Sequence, residues 1–478
     1  MLIARLLTPK EIGVFSVAAS LIGIAHTLRD FGVSNYLIQV KDLSIDKVRT
    51  AFTITAIMAW LIAALLFLSK GLIAEFYNKT ELQDIVLILG LNFVILPFSS
   101  ITMALLRRDM EFGKIYRITI LGAISQATVN VALARLGFGS YSLAWGGFAN
   151  VLITALAAQF IMPNYAYFKP SLAQWRAITD FGGKLSVSSL VFEAGNYSPD
   201  IIMGKLLGFV SVGIFSRAMG FVSLIDQALG DAIRPVMLPY FSQKNRECQD
   251  IRDVFLKVSS YYLSIALPLL CLIALLADPM IRLLYGSQWD IAVPIAQILC
   301  LAMMFKSLNF LVSAVILAGG YAGRVLKVQL IYQPLRVFAI FYGGLQSLNT
   351  IAYALVVAEL IGFFVFYSQL KISSIKLISI IKLFLSNLIV ALLAIFPVFV
   401  VNIILINKFY YINNFYYFFA HDFNLLILSD KNDGLGSLYC ILISSTVMLF
   451  SWLFTVFLFH RCLWNDAFSM FKIKFVNK

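Results

Sequence analysis

Apolar runs of about 20 residues, the length of a bilayer-crossing helix, recur from one end of the chain to the other. They lie near residues 12–38, 51–68, 82–106, 118–134, 140–161, 181–204 and 210–233, then 255–277, 291–317, 325–342, 349–370, 383–406 and 438–460. The pattern predicts an all-α polytopic membrane protein of about thirteen spans. The stretch 4–20 returns as 204–220, with Leu6, Leu7, Gly13, Phe15, Ser16 and Ala18 meeting Leu206, Leu207, Gly213, Phe215, Ser216 and Ala218. That 200-residue offset predicts two six-helix lobes, residues 1–161 and 181–370. A cytoplasmic linker at 162–180 joins them, and a final helix pair with a tail fills 371–478. Six is an even number, so both lobes enter the membrane in the same direction, as in transporters built from parallel repeats. The second copy follows another apolar run, 181–203, whereas the first follows only Met1, Leu2 and Ile3. The repeat's symmetry therefore leads us to expect one further helix ahead of the first copy.

Composition agrees with a lipid solvent. Hydrophobic residues make up 61% of the chain and charged residues 13%, and the mean hydropathy is +0.89. The charges that remain are arranged by side. Alternate loops hold 24 of the 37 Lys and Arg residues, among them Arg107, Arg108, Lys244 and Arg246, against nine in the intervening segments. Positive charge collects on the cytoplasmic side, which places the C-terminus there and brings the basic loops against anionic lipid headgroups. The net charge of +13 thus calls for no nucleic-acid partner. The five cysteines are scattered without a metal-binding or disulfide spacing.

An ionisable side chain at the bilayer centre costs about 2.5–3.5 kcal/mol unless paired or hydrated, so such residues mark function. Ten charged residues lie inside the apolar runs beyond their first four residues: Arg29, Asp30, Glu193, Asp200, Arg217, Asp226, Asp231, Lys306, Arg336 and Glu359. Together they imply a watery lumen. Arg29, Arg217, Lys306 and Arg336 would form a cationic lining suited to phosphate, Arg by bidentate geometry and Lys as a point charge. Asp30, Glu193, Asp200, Asp226 and Glu359 are the candidates for a coupling ion, since a semi-buried carboxylate changes charge on binding a proton or sodium. Glu193 and Asp200 fall on one helical face two turns apart. Pro199 is expected to free a backbone carbonyl beside them. Pro97, Pro268, Pro294 and Pro397 are expected kinks or hinges. Gln126, Asn130, Asn196 and Tyr197 are neutral groups able to read a sugar. No cofactor and no metal site are expected.

The run 4–39 (ARLLTPKEIGVFSVAASLIGIAHTLRDFGVSNYLIQ) and the run 180–219 (DFGGKLSVSSLVFEAGNYSPDIIMGKLLGFVSVGIFSRAM) resemble the bacterial polysaccharide transporter family. These are oligosaccharide flippases of the multidrug, oligosaccharidyl-lipid and polysaccharide exporter superfamily. The resemblance implies fourteen helices, both termini in the cytoplasm, and no enzymatic activity. It implies transfer of an undecaprenyl-diphosphate-linked oligosaccharide across the inner membrane, from the cytoplasmic to the outer leaflet, by alternating access. The product would be lipopolysaccharide O-antigen, capsule or exopolysaccharide, and other assembly proteins are implied partners. The family's lumenal charges carry over to Arg29–Asp30 before Phe31 and Gly32, and to Arg217 within 215–218. Two alternatives stay open: a cation-coupled multidrug exporter of the same superfamily, and a membrane oligosaccharide polymerase using His421 and Asp422 of the long outer loop at 407–437.

Overall fold

The computed structural model describes residues 2–30, 32–40, 42–162, 169–247, 250–309, 311–370, 375–420 and 429–459. His421 and Asp422 lie outside these. Among the described residues the secondary structure is helical throughout. Nine helices among these residues are long and apolar enough to cross a membrane, and the bent pair Glu81–Ile95 and Pro97–Arg108 makes a further crossing when counted as one. Trp175–Leu206 and Ala322–Gly344 are not among those nine; both carry charged and amide side chains.

The chain divides into two compact units, residues 1–216 with 333–347, and residues 217–332 with 348–478. This division differs from the boundaries expected from the repeat. It falls inside the helices Gly208–Arg246 and Ala322–Gly344, because Trp175–Leu206 packs along Pro9–Asp30 and so joins the first unit.

In the first unit, the sequence Thr8-Pro9-Lys10-Glu11 starts a helix by rule. The Glu11 carboxylate accepts from the Thr8 amide at 2.7 Å and from its hydroxyl at 2.8 Å, while the Glu11 amide donates back to Thr8 Oγ1 at 3.3 Å. This is a capping box with proline in the first turn. The expected span 12–38 is interrupted: Pro9–Asp30 ends and Val33–Gln39 begins after Gly32, whose φ of 66° is left-handed. Arg108 then caps the short helix, donating to the carbonyls of Leu37 at 2.7 Å and Val40 at 2.6 Å. The expected kink at Pro97 is a 53° bend. The Trp60 indole secures it by donating to the Val94 carbonyl at 3.3 Å, and Gln159 donates to the Phe98 carbonyl at 2.5 Å.

Gly13 and Gly213, which the repeat aligns, meet in the structure. A Cβ on Gly13 would strike the Phe209 carbonyl, and a Cβ on Gly213 would strike that of Pro9. The contact is reciprocal, since Pro9 and Phe209 are themselves one repeat apart. Ser16 and Ser216 follow one turn on, their hydroxyl oxygens 3.3 Å apart.

In the second unit, Phe241, Phe255, Val312, Val328, Tyr332, Phe363 and Phe366 form a hydrophobic core. The expected span 291–317 is split into Ala292–Leu308 and Val312–Ala318. Pro294 is no hinge: it sits in the first turn of Ala292–Leu308, where the helix needs no amide donor. Pro268 does interrupt the hydrogen bonding of Ile251–Leu275, leaving the Ser264 carbonyl without its helical donor. The Trp452 indole fills the gap from the last helix at 2.7 Å, close to the small core of Ala394, Val398 and Met448. We expect Trp452→Phe to lower stability by about 1–3 kcal/mol, the cost of an unpaired buried carbonyl. Thermal unfolding of the detergent-solubilised protein checks this. The loss should largely vanish in a Pro268→Ala background, where residue 268 regains its amide.

Candidate functional site

The first unit presents a polar helical face. Glu193, Asn196, Tyr197 and Asp200 stand at i, i+3, i+4 and i+7 along Trp175–Leu206, so they line one side of it, and all four are partly exposed. A face of this composition would be costly against hydrocarbon, which argues that it borders water. Asp200 accepts a hydrogen bond from Ser20 on Pro9–Asp30 at 2.9 Å. Asn196 accepts one from Arg336 at 2.9 Å. The carbonyl expected to be freed by Pro199 is that of Gly195, and the Ser198 hydroxyl already occupies it at 2.8 Å. The acceptor expected beside Asp200 is thus already engaged.

Arg29 and Asp30 lie elsewhere in the same unit, at the end of Pro9–Asp30. They form an ion pair at 3.4 Å, and Asp30 also accepts from Ser34 at 3.3 Å. The cation expected to line a lumen is thus partly neutralised by its neighbour. Gln126 and Asn130 are packing groups between Phe112–Arg135 and Ser140–Ile161. Gln126 accepts from Asn150 at 2.7 Å, and Asn130 is buried against Gly146.

In the second unit, Lys306 pairs with Asp226 at 3.5 Å, so one expected anion-binding group and one expected ion-coupling group engage each other. The two residues are 80 apart in sequence. Glu359 is buried at 5% exposure and is engaged rather than free. Asp231 is exposed. Arg217 differs from the rest. Its Nε, like that of Arg29, is buried without a hydrogen-bond partner among the described residues, but its electrostatic neighbour is the neutral phenol of Tyr285 rather than a carboxylate. A half-buried guanidinium with no acid beside it among the described residues carries a desolvation cost that an anionic ligand would relieve.

The four expected cations therefore divide, Arg29 and Arg336 in the first unit and Arg217 and Lys306 in the second. Ser20, Gly23 and Tyr285 were not anticipated. For the first two a signal existed: Gly13, Ser16, Ser20, Gly23 and Thr27 repeat at alternating steps of three and four, the spacing of a helix seam.

Residues 2–294 match the family described as polysaccharide biosynthesis protein. The lipopolysaccharide biosynthesis protein WzxC of Escherichia coli strain K12 is 23% identical over 348 residues, 72% of this chain and 70% of that protein. The succinoglycan biosynthesis transport protein ExoT of Rhizobium meliloti strain 1021 is 26% identical over 303 residues, 63% of this chain and 61% of that protein. Among solved structures, the lipid II flippase MurJ in its inward closed conformation superposes with a TM-score of 0.75 at 14% identity, over 97% of this chain and 95% of that one. The fold is shared with that protein.

Proposed function

The chain belongs to the polysaccharide biosynthesis protein family, and from that membership we propose that it is a flippase for lipid-linked oligosaccharide. Its substrate on this reading is an undecaprenyl-diphosphate-linked oligosaccharide, moved from the cytoplasmic to the outer leaflet of the inner membrane. The protein is a transporter rather than an enzyme, and the C-terminus lies in the cytoplasm, as the distribution of Lys and Arg favours.

The observation that carries the site assignment is Arg217. Among the described residues it is the one candidate cation with neither an ion pair nor a hydrogen bond, and a diphosphate offers the geometry its planar donors match. The polyprenyl tail stays in lipid while the diphosphate and sugar pass through a hydrated path that opens alternately to the two sides. Asp200 is the coupling residue: partly exposed, held by a neutral hydroxyl, and so able to gain and lose a proton or sodium ion during the cycle.

The test is complementation of a flippase-null bacterium that makes a matching glycan. Surface glycan should return, and the lipid-linked intermediate on the cytoplasmic side should clear. Stable membrane insertion without clearance would overturn the reading and bring multidrug export forward.

A further inference from the structure

The structure separates the neutral groups that sequence alone leaves equivalent. Gln126 and Asn130 lie where Phe112–Arg135 packs on Ser140–Ile161, bonded to Asn150 and set against Gly146, whereas Asn196 and Tyr197 share a partly exposed helix face with the carboxylates Glu193 and Asp200. Tyr197 has a seat made for it. A Cβ at Gly23 would overlap the Cζ and Cε2 atoms of its ring, so the aromatic ring rests directly against the backbone of Pro9–Asp30. Glu193 lies one turn before it and acts electrostatically on its phenol. Asn196 is fixed beside it by the 2.9 Å hydrogen bond from Arg336. Asp200, one turn beyond, is held by Ser20.

We infer that Tyr197, seated on Gly23 and flanked along its helix by Glu193 and Asp200, is a sugar-binding platform that reads the carbohydrate of the transported lipid, with Gly23 as a specificity-determining position. This rests on the flippase reading and adds the part of the substrate that the face recognises. The chemistry is that of polyol recognition. A carboxylate, an amide and a phenol supply acceptors and donors for neighbouring hydroxyls, and an immobilised ring supplies apolar area with a polar edge at little entropic cost. A diphosphate would be repelled by Glu193, so the face suits the uncharged end of the substrate. Lengthening residue 23 by one carbon unseats the ring and its hydroxyl while leaving the side chains of Glu193, Asn196 and Asp200 unaltered.

The test uses the purified full-length protein and two probes. One is the lipid-linked oligosaccharide extracted from the flippase-null strain that the gene rescues; the other is bare undecaprenyl diphosphate. The wild type should bind the glycosylated lipid more tightly. Gly23→Ala and Tyr197→Ala should each weaken that binding about tenfold, the equivalent of one good hydrogen bond or ring contact, with binding of the bare lipid unchanged. Tyr197→Phe, which keeps the ring, should lose about threefold or less. Gly23→Ala carries the test should Tyr197→Ala fold poorly. Equal weakening toward both lipids, no weakening at all, or a wild type indifferent to the sugar would overturn the platform. A wild type that binds neither lipid would instead sink the flippase reading beneath it.

Discussion

Replacing Arg217 with glutamine is expected to stop glycan export while leaving the protein as stable as before, or more so. Two charge-assisted hydrogen bonds to a phosphate, each worth about 1.5–3 kcal/mol, correspond to a loss of about 100-fold or more in transport. The stability side follows from the same observation. Arg217 has a buried Nε without a described partner, so removing the charge relieves a desolvation cost and breaks no ion pair. Lysine should restore a fraction of transport, because it returns the charge without the planar fork. Surface glycan, the accumulated lipid-linked intermediate and thermal unfolding, measured on the same variants, check the three statements together. A glutamine variant that exports normally would remove Arg217 from the anion path; one that merely unfolds would make it a packing residue.

Asp200→Asn should uncouple transport from its driving gradient. The amide matches the carboxylate in shape and can still accept from Ser20, whose hydroxyl donates to Asp200 at 2.9 Å, so the helix contact survives. The ability to take up a proton or a sodium ion does not. In vesicles containing the purified protein, imposed proton and sodium gradients should accelerate the wild type and leave the variant at its gradient-free rate. Ser20→Ala should shift the ion concentration needed for half-stimulation by about fivefold, since one hydrogen bond of about 1 kcal/mol is lost, without abolishing the response. Acceleration of Asp200→Asn by either gradient would assign coupling to another residue.

Much of this architecture is legible in the spacing of apolar residues, because a bilayer imposes its thickness on every crossing segment. The bend at Pro97 was legible too, since proline removes a donor wherever it falls. The break after Gly32 was not: a single left-handed residue leaves the hydrophobic pattern of 12–38 unchanged. Pro294 was misread because its effect depends on where the helix begins, and Ala292 is the first helical residue. Among charges, sequence located the ionisable residues but not their pairings. Lys306 and Asp226 come together only through helix packing, while Arg217 is left apart by it. The satisfied carbonyl at Gly195 was within reach of sequence reasoning, for Ser198 adjoins Pro199 and a serine hydroxyl can bond back to the preceding turn.

Gly13 and Gly213 each face the backbone of the other's helix start, and that reciprocity binds their histories together. A methyl group on either can be admitted only if the two helices draw apart, and the separation that admits one admits the other. The second substitution should therefore cost much less than the first, a strong departure from additivity between positions 200 residues apart in the chain. Selection would meet them as one site written twice: glycine is held at both so long as the helices stay close, and once either is lost the other is released.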